Sequence, residues 1–246
     1  MIARVCVLGS RGRMGRAVQD AAKSRTDLIV SAAIDHDGDM AASFDVSDVY
    51  VDFTTPAATQ IAARFASQRR LAAVVGTTGL SADANAALAD LARVAPVVVA
   101  ANFSLGVNLV LGLVRQAARV LGPEWDAEVV ETHHHNKRDA PSGTALAIAR
   151  SIAAGHGVDY DQVKRHTRDG DVGPRARGEI GVSTVRGGDV IGEHVAYFFG
   201  DAERVEIAHR ATSRTIFAAG ALRAATWAVG KPPGRYDMLD VLGFTP

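Results

Sequence analysis

Short apolar runs alternate with longer stretches of helical spacing in the first part of the chain. Ile2 to Leu8 is apolar except for Arg4 and predicts a buried parallel strand. A glycine-punctuated turn, Gly9 to Gly15, leads into R-A-V-Q-D-A-A-K-S, which reads as a helix. Leu28 to Ile34 predicts a second strand ending at Asp35, and Val49 to Phe53 a third, followed by a helical P-A-A-T-Q-I-A-A-R-F-A. Ala72 to Val75 predicts a strand that runs out on G-T-T-G. Ser81 to Arg93 carries Leu and Ala at helical spacing, with Ser81 placed to cap it. Val97 to Ala101 predicts one more strand, ending at Asn102. Strands alternating with helices indicate a parallel α/β sheet of Rossmann-like type.

The texture changes near residue 105. Val107 to Leu121 predicts a helix, Ala127 to Thr132 a strand and Thr144 to Ala154 another helix. Residues 155 to 178, rich in Gly, Asp and Arg, read as a long surface loop. Ile180 to Val185, Val190 to Phe199 and Ala202 to Ala211 follow as consecutive strand-like runs, which suggests an antiparallel or mixed sheet. Thr215 to Val229 predicts a last helix. The expected fold class is α/β: a Rossmann-like dinucleotide-binding domain plus a C-terminal α+β domain with a mixed sheet.

Composition removes several function classes. Lys and Arg total 27 and Asp and Glu total 27, so the zero net charge implies no general attraction to nucleic acid or an anionic membrane. No apolar stretch approaches the roughly 20 residues of a membrane span. The N-terminal run is too short for a signal peptide, which makes a cytoplasmic location the expectation. A single cysteine, Cys6, excludes an intrachain disulfide and sits in an apolar run as buried filler.

Gly9, Gly12 and Gly15 follow a strand and open a helix. Glycine there permits a tight turn and lets the backbone approach a pyrophosphate seated on the helix dipole. The spacing is G-x-x-G-x-x-G rather than the commoner G-x-G-x-x-G, so the glycines alone fit a plain turn equally well. Asp35 tips the balance, because it ends the second strand where a carboxylate accepts hydrogen bonds from the adenosine ribose. A carboxylate there disfavours a 2′-phosphate, whereas Arg11 and Arg13 in the loop offset a phosphate charge. NADH or NADPH is therefore the expected cofactor. Gly76 to Thr78 and Ala100 to Phe103 each end a strand on the edge where such sheets bind ligands, and are candidates to line the nicotinamide half.

Residues Glu131 to Thr144 read E-T-H-H-H-N-K-R-D-A-P-S-G-T. Histidine and lysine move protons near neutral pH, and Ser142, Gly143 and Thr144 at a helix N-terminus form an anion cradle. Together they point to a small carboxylate substrate. An extended Val129 to His135 would turn His133 and His135 one way and His134 the other. A metal site is not expected, since H-E-x-x-H, H-x-E and cysteine partners are all missing.

The run E-T-H-H-H-N-K-R-D-A-P-S-G-T-A-L resembles the signature of the dihydrodipicolinate reductase (4-hydroxy-tetrahydrodipicolinate reductase) family. G-S-R-G-R-M-G-R, D-F-T-T-P at 52 to 56, G-T-T-G, A-N-F-S-L-G-V-N and V-R-G-G-D-V-I-G-E-H at 185 to 194 resemble it too. The resemblance implies NAD(P)H-dependent reduction of the ring dicarboxylate in diaminopimelate and lysine biosynthesis. It implies His133 as proton donor or acceptor, Lys137 as proton donor, and His134, Gly143 and Thr144 as substrate contacts, with Ser142 in the same turn. Gly9, Ser10, Arg11, Gly12, Arg13, Met14, Asp35, Gly76, Thr77, Thr78, Ala100, Ala101, Asn102 and Phe103 correspond to the cofactor contacts; His135 corresponds to no fixed role. It further implies a homotetramer built through the C-terminal sheet, and a final helix that returns to the nucleotide domain. The expected domains are thus 1–104 with 213–246, and 105–212. An NAD(P)H-binding regulator without turnover would explain the glycine loop but not Lys137 and the Pro-Ser-Gly-Thr turn. A semialdehyde-type reductase would need a mid-chain cysteine, and Cys6 is misplaced for that.

Overall fold

In a computed structural model that describes residues 2–244, β1 (Ala3–Leu8) lies between β2 (Leu28–Ile34) and β3 (Val49–Asp52), parallel to both. Next come β4 (Ala72–Val75) and β5 (Pro96–Val99), and a short late strand, β11 (Gly234–Tyr236), closes the edge. The six-stranded sheet has the order β11-β5-β4-β3-β1-β2 and is parallel throughout. Its strands are apolar on both sides because both faces are covered. Val5, Val7, Val51 and Val74 face α1 (Arg13–Ala22), α8 (Thr215–Ala228) and α9 (Met238–Leu242). Cys6, Leu8, Tyr50, Ala73 and Val75 face α2 (Met40–Asp45), α3 (Pro56–Arg69) and α4 (Ala82–Ala92). The chain runs from β2 back past β1 to place β3, so the switch in strand order falls between β1 and β3. That is where open α/β sheets bind ligands, outside the carboxyl ends of the strands.

A second sheet has the order β10-β9-β6-β8-β7. Here β6 (Asp126–His133) is parallel to β8 (Ile180–Arg186) and antiparallel to β9 (Glu193–Phe199), so the sheet is mixed. The edges are β10 (Arg204–Arg210) and the two-residue β7 (Lys164–Arg165). Alternation along β6 buries Ala127, Val129, Glu131 and His133 on one face. That face is packed by α5 (Leu105–Leu121) and α6 (Gly143–His156), through Val110, Val114, Ile148 and Ile152.

Contacts divide the chain into two units: the N-terminal part to Leu105 joined by the chain from Thr215 onward, and Gly106–Arg214. The α/β class and the mixed second sheet agree with the sequence pattern. Three details differ. Residues 155–178 are not all loop, since they hold α7 (Tyr160–Val163), capped by Asp159, and β7. β9 begins at Glu193 rather than Val190. β6 ends at His133, where the chain turns and the Gly187 N–H bonds to the His133 carbonyl, so strand alternation does not extend to His134 and His135.

Candidate active site

The residues expected to hold a cofactor lie at the carboxyl ends of β1, β2, β4 and β5. Gly9 has φ +68°, and a side chain at Gly15 would run into the Gly9 carbonyl, so both positions require glycine. Gly12 is the N-cap of α1 and supplies no side-chain cap. By contrast α2, α3, α4, α6, α7 and α9 each begin on a residue whose side chain accepts from the first turn. A helix start left uncapped by its own chain, beneath a glycine cradle, suits a pyrophosphate. Asp35 accepts from the Arg11 N–H at 3.2 Å and the His36 N–H at 3.0 Å. The His36 ring, then its N–H and that of Arg11, hold the Asp35 carboxyl down at about 2. The Arg11 guanidinium is paired with Asp37 at 2.7 Å on the surface, and Arg13 is exposed.

Asp52, fully buried at the end of β3, fixes the neighbouring turns. It accepts from the hydroxyls of Thr59 (2.6 Å), Thr54 (2.5 Å) and Thr77 (3.1 Å), and from the Thr54 N–H at 2.9 Å. Thr77 is thereby turned inward, leaving Thr78 exposed. Gly76 leaves room for the Phe53 ring. Phe103 is buried edge-on to Phe53 at 5.6 Å and belongs to the core, so only its backbone is open to a ligand role. The Asn102 carboxamide accepts from the Ser104 N–H at 2.8 Å. These residues fit a dinucleotide: a glycine cradle, an uncapped helix start and an ionised acid at the second strand.

The histidine side is in the second unit. Glu131, with no exposed surface, stands at its centre. One carboxylate oxygen lies 2.5 Å from His133 Nδ1 and accepts from Arg186 at 2.8 Å. The other accepts from Arg186 at 2.9 Å, the Ser142 N–H at 3.0 Å and the Thr184 hydroxyl at 3.2 Å. Burial pushes the Glu131 carboxyl up, but Arg186, His133 and Ser142 outweigh it and hold it at about 2. The His133 ring stands edge-on to His194, centroids 5.2 Å apart. Burial first, then the nearby His133, push His194 down to about 4, so it stays neutral. Lys137 pairs with Asp139 at 2.8 Å, and the Asp139 carbonyl accepts from Arg186 at 2.7 Å. A continuous run of contacts therefore links Lys137, Asp139, Arg186, Glu131 and His133.

The His134 N–H is fixed by the Val190 carbonyl at 2.7 Å, while His135 is exposed. Ser142 caps α6 through its hydroxyl, which also lies 3.2 Å from His194 Nε2. With its N–H on Glu131 and only 2% exposed, Ser142 is committed inward. Gly143 and Thr144 hold the more exposed start of the helix. Glu131, Arg186, His194, Thr184 and Asp139 are site residues beyond those expected from the sequence. Glu131 shares strand parity with His133, a usable signal, whereas Arg186 and His194 reach it across strand pairs.

A parallel nucleotide-type sheet joined to a mixed sheet carrying a buried acid–histidine pair defines a pyridine-nucleotide oxidoreductase. Residues 3–103 match the family described as dihydrodipicolinate reductase, N-terminus, and residues 106–242 its C-terminus. The chain belongs to the dihydrodipicolinate reductase family. Proteins named 4-hydroxy-tetrahydrodipicolinate reductase from Anaeromyxobacter dehalogenans and Caulobacter vibrioides are 44% and 43% identical, each match covering 98% of this chain and 97% of the relative. The dipicolinate-bound dihydrodipicolinate reductase from Paenisporosarcina sp. TG-14 shares the fold at TM-score 0.82 and 23% identity, over 98% of this chain and 99% of that one.

Proposed function

We propose that this chain reduces 4-hydroxy-tetrahydrodipicolinate to tetrahydrodipicolinate, at the expense of NADH or NADPH, in the cytoplasm as part of diaminopimelate and lysine biosynthesis. The observation that carries the chemistry is the Glu131–His133 pair at 2.5 Å beside Lys137 and the Gly143–Thr144 helix start. Gly9 to Met14 cradle the cofactor pyrophosphate and Asp35 takes the ribose hydroxyls; Gly76 to Thr78 and Ala100 to Phe103 line the remainder. When bound, the cofactor supplies a hydride. In the net reaction the ring carbon loses its hydroxyl as water and gains that hydride, with one proton consumed. His133 or Lys137 supplies the proton. His134, Lys137, Gly143 and Thr144 hold the two carboxylates, Lys137 exchanging Asp139 for one of them.

The test is loss of NADH or NADPH absorbance with freshly generated substrate. His133→Ala or Lys137→Ala is expected to lower kcat by about 100-fold, the scale of a lost general acid. Near-normal turnover in either variant removes that residue from the role.

A homotetramer is the assembly we favour. The face of the second sheet away from α5 and α6 carries Val130, Val195 and Tyr197, with Val185 and Phe199 exposed. Such an apolar sheet face suits burial against other copies. Sedimentation equilibrium returning a monomer mass would overturn it. No helix of the described residues is long and apolar enough to cross a membrane.

A further inference from the structure

We infer that Glu131 is a positioning residue: it grips the His133 ring by Nδ1, so that Nε2 alone carries and exchanges the catalytic proton. The inference rests on the reductase reading above and deepens it by assigning the atom.

Every partner of Glu131 other than His133 supplies a hydrogen. Arg186 and the Ser142 N–H can only donate, and the Thr184 hydroxyl reaches the same carboxylate at 3.2 Å. Glu131 is therefore an ionised acceptor with both oxygens occupied, and His133 Nδ1, 2.5 Å away, must carry the hydrogen between them. Neutral His133 is then the Nδ1–H tautomer, and its protonated form differs only at Nε2. The strand ensures the pairing, because Glu131 and His133 are two residues apart on the buried face of β6.

Gly192 lies over Nε2, and a Cβ at that position would stand 2.9 Å from it, so only glycine leaves that side of the ring uncrowded. The charged and titratable groups facing the pair are Arg186 from β8, His194 from β9, His209 from β10 and Lys137 with Asp139 from the turn after β6. Arg186 balances the Glu131 charge and His194 stays neutral.

A conservative replacement separates positioning from packing. Glu131→Gln keeps shape and one acceptor oxygen but removes the charge. Its kcat is expected to fall at least about tenfold, with KM for NADH unchanged. The alkaline limb of its kcat/KM profile should move to lower pH, as loss of an opposite charge beside an imidazole requires. Glu131→Asp, which restores the charge, should return the limb toward the wild-type position. Independently of turnover, two-bond nitrogen–proton NMR of the wild-type chain should show neutral His133 protonated at Nδ1, the signal being assigned by its loss in His133→Asn. A neutral His133 protonated at Nε2 overturns the inference. So does a Gln variant whose pH limb stays put while kcat falls only with the folded fraction. If the wild-type chain does not turn over the substrate, the reductase reading fails, and the tautomer still decides the role of Glu131.

Discussion

At the scale of single residues, the acids decide how each site reads its ligand. Asp35 and Asp37 stand within the same turn, and Arg11 is spent on both, by its N–H on the first and its guanidinium on the second. The two acids favour free ribose hydroxyls over a 2′-phosphate, while Arg13, exposed in the glycine loop, can still offset a phosphate charge. Asp35→Ala is expected to weaken NADH binding about tenfold while changing NADPH binding less, read by cofactor fluorescence titration; equal losses would remove Asp35 from ribose recognition. Arg11 shows the limit of the sequence at this scale. As a loop arginine it looked available to a phosphate, and only folding brings Asp37 to it. Cys6 was legible: burial pushes its thiol up to about 12, which suits filler and not a nucleophile.

At the scale of elements, buried acids tie turns together. Asp52 joins the start of α3, through Thr59, to the turn after β4, through Thr77. Asp52→Ala leaves those hydroxyls without their acceptor, the Thr54 N–H keeping only the Thr77 hydroxyl at 3.0 Å, and is expected to cost about 3 kcal/mol in urea unfolding. A loss within experimental error would show that the hydroxyls find other partners. Elements with a marked pattern or cap were legible: β2 and the short all-apolar β4 coincide with the expected ranges, and Ser81 caps α4 as its position implied. α2, β11 and α9 were not anticipated. Each is six residues or fewer, too short for a period to register, and is fixed by burial of Phe44, by pairing with β5, and by burial of Met238 and Val241. Within the site, the E-T-H-H-H motif was legible as chemistry and strand parity links Glu131 to His133, but the Glu131 partners on β8 were not legible, since they come from a distant stretch of sequence.

At the scale of the whole molecule, buried titratable groups set an acid limit on stability. His194 is lowered from 6.5 to about 4, so folding favours its neutral form, and that contribution is complete above about 6.5 and lost as pH falls to 4. His156 and His209, lowered by burial, act in the same direction. Glu131 is lowered from 4.5 to about 2, so its contribution is complete above 4.5 and lost as pH falls through 2. The urea midpoint is expected to fall continuously from neutral to strongly acid pH, and Glu131→Gln should flatten the lower part of that fall; a variant with the wild-type slope would show that Glu131 does not set it. The path of the chain carries a different consequence. The sheet face bearing Val5, Val7, Val51 and Val74 is covered in part by α8, which is made after the whole of the second unit. During synthesis the uninterrupted segment Gly106–Arg214 leaves the ribosome complete, while the earlier segment, covered on that face by α1 alone, waits for α8 and α9. A nascent chain paused before Thr215 is thus a natural client for a chaperone, and the order of emergence makes the nucleotide sheet, begun first, the last to be finished.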